Sequence, residues 1–171
     1  RLYYFGCRRN PDEEGTHAIY SAISDDGIRF TEEKRVFDRE GLVDPDVFWT
    51  GKEWLMYVFG LGKTEIARSA DGLSFEYVGP LHLKFWGTTA PVRLEDGTFR
   101  LYAFTQRGVN KVCSFTSKDC ETWTQEEGTR LVPPEGKQIT DPFVVRLKDG
   151  TWKMFYKIQG QPRNRPKEKR P

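Results

Sequence analysis

The sequence predicts an all-β chain, a propeller of four-stranded antiparallel blades with about three blades' worth of repeats. Three observations carry that prediction. A Pro-headed hairpin returns twice, a Ser-x-Asp-x turn ending on an aromatic residue follows the hairpins, and no apolar pattern with the period of a helix competes. Aromatic residues make up 14% of the chain, which suits pleated, half-buried surfaces.

The hairpin runs from Asp44 to Tyr57, again from Ala90 to Tyr102, and again from Asp141 to Tyr156. Its prolines stand at 45, 91 and 142, so the spacings are 46 and 51 residues, the length of a four-stranded blade. A proline at the head of a strand removes no ladder hydrogen bond. Asp96-Gly97 and Asp149-Gly150 are hairpin turns, because glycine adopts positive φ freely. The second signature begins at Ser24-Asp25-Asp26-Gly27, returns at Ser69-Ala70-Asp71-Gly72, and returns at Ser117-Lys118-Asp119-Cys120. It closes on Phe30, Phe75 and Trp123, whose rings anchor the next strand. Serine and aspartate side chains hold turn backbone. Cys120 replaces the glycine once, and a different turn type is expected there.

The blade remnants fall at 1–37, 43–80, 89–132 and 140–158, a partial propeller over 1–159. Arg1 to Phe5 matches Arg100 to Phe104, a second strand, and the last recognisable strand, Trp152 to Lys157, is a second strand too. A closed ring needs about four to eight blades. The chain is therefore expected to belong to a longer protein, with self-association through open blade edges as the other way to satisfy them. Residues 160–171 form a basic, Pro-rich tail (Arg163, Arg165, Lys167, Lys169 and Arg170 among Pro162, Pro166 and Pro171), expected to be disordered or cut.

A net charge of +2 creates no field that selects nucleic acid or membrane, and no apolar run approaches membrane length. Cys7, Cys113 and Cys120 are odd in number and unpaired in spacing, which excludes a disulfide framework or zinc site and favours the cytoplasm. His17 and His82 are isolated, and no metal is expected from ligand spacing.

At these residues the chain resembles the clan of five-bladed propeller glycosidases that includes arabinanases, β-xylosidases, α-L-arabinofuranosidases and invertases. The resemblance rests on the Asp-Pro heading the innermost strand, the aromatic hairpin and the Ser-x-Asp-Gly turn, and extends to about Gln159. It implies a glycoside hydrolase acting on furanose- or pentose-containing glycans through carboxylates at the central axis, with carbohydrate as partner. One carboxylate would serve as base or nucleophile, a second would tune and position, and a glutamate would be the acid. Some members hold an axial ion, so calcium is conceivable, although no ligand cluster argues for it.

On that resemblance Asp44 and Asp141 fit innermost-strand carboxylates. The middle blade has Thr88-Thr89-Ala90-Pro91, with no acid where the clan places its glutamate. The alternative is accordingly a non-catalytic propeller that binds carbohydrate or protein. Glu65, at the start of a third strand, is a candidate substitute acid, against the ordinary role of a solvated strand end. Arg68 could bind a sugar hydroxyl or form a strand-face ion pair. Trp86 could stack on a sugar at the rim or pack between blades. Thr89 stands at the pocket head. Asp44 and Asp141 themselves compete with a plain role as caps of turns at strand heads.

Overall fold

The structure, a computed structural model, describes residues 1–7, 17–60, 62–83, 86–106 and 108–160. Among these the chain forms thirteen strands in four antiparallel sheets and no helix. The first sheet holds β1 (Leu2–Cys7), β2 (His17–Ile23) and β3 (Thr31–Asp38) in that order. The second holds β4 (Leu42–Trp49), β5 (Trp54–Gly60), β6 (Lys63–Ser69) and β7 (Glu76–Pro80). The third holds β8 (Trp86–Arg93), β9 (Phe99–Thr105), β10 (Val112–Ser117) and β11 (Thr124–Gln125), and the fourth β12 (Lys137–Arg146) and β13 (Trp152–Gly160). Gly160, which the sequence assigns to the tail, closes β13, while 161–171 lie outside the described residues.

The first strand of each sheet abuts the first strand of the next, β1 on β4, β4 on β8 and β8 on β12. Sheets that pair only with their own neighbours in sequence and meet through their leading strands are blades of a propeller. The cores lie between the sheets. Ile19, Val36 and Phe37 of the first meet Met56, Val58 and Ala67 of the second. Leu55, Tyr57 and Ile66 of the second meet Phe99, Leu101 and Phe115 of the third. Ala90 and Val92 of the third meet Val144 of the fourth. Side chains alternate along a strand, so β5 sends Leu55 and Tyr57 one way and Met56 and Val58 the other. Burial on both faces explains why β5 reads as an unbroken apolar run. The fourth sheet, by contrast, leaves Phe143, Trp152, Phe155 and Ile158 exposed.

The three signature turns are one structure. Ser24, Ser69 and Ser117 each reach the aspartate two residues on, and each hydroxyl accepts the backbone N–H of the residue after that aspartate. The different turn expected at Cys120 is not found: its φ of 62° matches the 72° of Gly27 and Gly72. The aspartate and serine bonds impose the geometry whatever residue follows. Cys120 is also fixed from outside, because its carbonyl accepts the Tyr57 hydroxyl at 2.5 Å across the interface between sheets. Burial pushes its thiol up to about 12.

Candidate active site

Each Pro-headed strand opens with an irregularity in its ladder. The register of β4 on β5 breaks between Val43 and Pro45, and that of β12 on β13 between Thr140 and Phe143. β8 breaks likewise between Trp86 and Thr89. Bulges of this kind re-aim side chains at rims and beside sites. Asp44 and Asp141 sit in the two Asp-Pro bulges with φ of 52° and 53°, left-handed backbone that non-glycine residues seldom adopt. Two equivalent positions in two sheets thus hold the same unusual conformation on the same residue type.

The bulges face one another across a cavity of about 470 Å³ lined by Arg1–Tyr3, Asp44–Val47, Thr88–Thr89 and Asp141–Phe143. All four sheets contribute to it. Another hollow, of about 390 Å³ beside Thr98, Ser117 and Asp119, holds a single carboxylate that is already committed to its turn.

The environment drives the two carboxylates in opposite directions. Burial and the negative charge of Asp141 raise Asp44, and the nearby Lys157 tempers the rise. Burial also works against ionisation of Asp141, but three donors outweigh it and hold its carboxyl below the ordinary aspartate value. Lys157 Nζ donates to it at 2.9 Å, Thr140 Oγ1 at 2.9 Å and Thr88 Oγ1 at 3.0 Å. A third carboxyl, Asp46, lies two residues along β4. It is partly buried in the cavity wall, and burial pushes it up to about 7.

Of the residues expected at the site, Asp44, Asp141 and Thr89 come together here. Glu65 stands apart on β6, where Lys63 Nζ at 2.8 Å and the Tyr77 hydroxyl at 2.8 Å engage its buried carboxylate. Burial opposes its charge, but those bonds prevail and its value falls, so it is an ionised partner and not a proton reserve. Arg68 pairs with Glu121 at 2.9 Å and lines an outer groove with Glu53 and Ser69. Trp86 packs edge-on against Phe115, with ring centroids 4.8 Å apart, on the core between the second and third sheets. Sequence reasoning missed Lys157, Thr88 and Asp46. Only Asp46 left a usable signal, the two-residue step of Asp44-Pro45-Asp46. Among the described residues no cluster of His, Cys, Asp or Glu is arranged to hold a metal.

No protein-family profile and no curated protein matches the sequence. Solved structures do match in shape. A protein of unknown function from Dyadobacter fermentans superposes with a TM-score of 0.64 over 94% of this chain and 46% of its own, at 18% identity. An endo-arabinase from Bacteroides thetaiotaomicron gives 0.58 over 90% of this chain and 65% of its own, at 15% identity. The chain shares the fold of these structures. An endo-1,4-β-xylanase from the same Bacteroides gives 0.53 over 94% and 65%, at 18% identity. The chain spans between about half and two thirds of these structures.

Proposed function

We propose that this chain carries part of the active site of a glycoside hydrolase of the five-bladed type, acting on furanose- or pentose-containing glycans. One observation carries the reading: two Asp-Pro carboxylates, held in the same rare backbone conformation, share a cavity that raises one and lowers the other. Pairs of carboxyls with divergent protonation are what glycoside cleavage requires. Asp141, ionised and braced by Lys157, Thr140 and Thr88, is the base or nucleophile. Asp44 positions the sugar and tunes Asp141 by its charge. Thr89 borders the sugar, and an axial calcium would have to draw on the same cavity. The likeness to an arabinase and a xylanase is compatible with this substrate class.

The second reading, a propeller that binds glycans without cleaving them, draws on the described residues of the cavity wall, which include aspartates and no glutamate. A panel of aryl furanosides and pentosides separates the two. Hydrolysis by the chain that falls at least about 100-fold in Asp141→Asn and Asp44→Asn supports the first. Glycan binding without turnover supports the second, and equal rates in all three proteins remove both aspartates from the chemistry.

A further inference from the structure

We propose that β13 is a docking edge for a second copy of this chain, and that two copies pair antiparallel across a two-fold axis to make one continuous four-stranded sheet, β12-β13-β13-β12.

The outer edges of the sheets differ. A strand edge presents a row of unpaired N–H and C=O groups, and proteins blunt such rows with charges, bulges, prolines or shortness. β3 is blunted in several ways. It carries Glu32, Glu33, Lys34, Arg35 and Asp38, its register on β2 breaks twice, and the Phe75 N–H already donates to the Val36 carbonyl. β7 has five residues, one break in register and the ending Gly79-Pro80. β11 has two residues. β13 has none of these devices. It runs nine residues without a proline or an acid, and among the described residues no strand pairs with its far edge.

The side chains favour association as well. Trp152, Phe155, Tyr156 and Ile158 on β13, and Phe143 beside them on β12, are between 42% and 55% exposed. Aromatic side chains bury about 150–250 Å² in full, so each of these groups has about 100 Å² still to lose. Two copies together bring about 1,000 Å², the lower limit of a specific interface. The dimer is accordingly a reversible one, assembling in the micromolar range.

The pairing of β13 with itself is also self-consistent. It adds two strands to two and reproduces the size of the sheets that this chain builds at β4–β7 and β8–β11. A register centred on Tyr156 sets Met154 opposite Ile158 and Lys153 opposite Gln159, so no lysine faces a lysine. Lys157 then faces Phe155 and is free to keep its bond to Asp141. The competing arrangement sets β13 on β3 of the next copy. There the ladder is already broken, and Glu33 already accepts Arg1 and Ser21. Such head-to-tail contacts would also propagate as a filament unless they closed into a ring.

The test is the oligomeric state of the full chain. Sedimentation equilibrium between about 1 and 100 µM should show a monomer–dimer equilibrium. Tyr156→Lys sets two lysines opposite one another at the axis and should weaken dimerisation at least about tenfold, with the circular dichroism of the strands unchanged. Tyr156→Cys gives a readout independent of affinity. Directly opposed residues of an antiparallel pair stand about 4.5–5.5 Å apart at Cβ, so mild oxidation with diamide should join two copies through residue 156. Mass spectrometry of the linked peptide identifies the bond, and Trp152→Cys, which faces Gly160, should form none. A monomer throughout that concentration range overturns the proposal. So does an assembly that keeps growing with concentration, or a dimer that survives Tyr156→Lys undiminished or fails to link through residue 156.

Discussion

Replacing Asp44 with glycine is expected to make the protein more stable while damaging its site. At φ 52° a non-glycine residue carries a conformational cost of about 1–2 kcal/mol, with aspartate at the lower end because it tolerates this region. Glycine removes that cost but adds freedom to the unfolded chain, which takes back about 0.5–1 kcal/mol. Nothing else of weight is lost, since the Asp44 carboxyl is influenced only by burial and by the charges of Asp141 and Lys157. The net gain is at most about 0.5 kcal/mol, or about 1–2 °C in Tm for a chain of this size. Urea denaturation at pH 7 measures it as a higher midpoint at unchanged slope. Asp141→Gly supplies the contrast. It relieves the same φ but loses the bonds from Lys157, Thr140 and Thr88, so it should be at least about 1 kcal/mol less stable than Asp44→Gly. If Asp44→Gly lowers stability by more than about 0.5 kcal/mol, the conformation at 44 is not stored strain and the argument from backbone to function fails.

Three further outcomes follow from the packing and the charges. Lys157→Met should raise the Asp141 carboxyl towards its ordinary value in a carbon-13 titration. Asp141 is held low, so its bonds contribute stability above the ordinary aspartate range that is lost as pH falls through its folded value. The variant should show less of that acid-side loss, by about 1 kcal/mol at most for so exposed a pair. Tyr57→Phe should cost about 1–3 kcal/mol in urea, because it leaves the Cys120 carbonyl without its donor at a buried contact. Gly60→Ala would set a Cβ 2.5 Å from the Gly41 carbonyl oxygen and 2.6 Å from Leu42 Cδ2, and should cost about 1–3 kcal/mol by thermal denaturation.

The blades were legible because inner strands such as β5 are buried on both faces and each signature turn carries its own serine and aspartate. Those demands fall on neighbouring residues and therefore show in sequence. The Asp-Pro pairs were legible for the same reason, as strand heads repeated in register. Side-chain partners on neighbouring strands were not. Tyr77 and Lys63 engage Glu65 from β7 and from the start of β6, and no spacing announces that. Lys157 reaches Asp141 because the bulge drops two residues from the ladder and leaves Thr140 opposite Lys157. The turn at Cys120 misled for a different reason. Glycine is the usual way to reach positive φ, but a side-chain network and one long-range hydroxyl can hold a cysteine there.

No single sheet owns the cavity: its wall takes short stretches from β1, β4, β8 and β12 and from the segments leading into them. Each sheet keeps its ladder by bonds within itself, whereas the wall exists only while the sheets remain docked. Mild denaturant or heat should therefore dismantle the wall first. On the hydrolytic reading proposed above, substrate recognition would fade while the circular dichroism of the strands was still intact, making turnover the most sensitive gauge of whether the blades are seated.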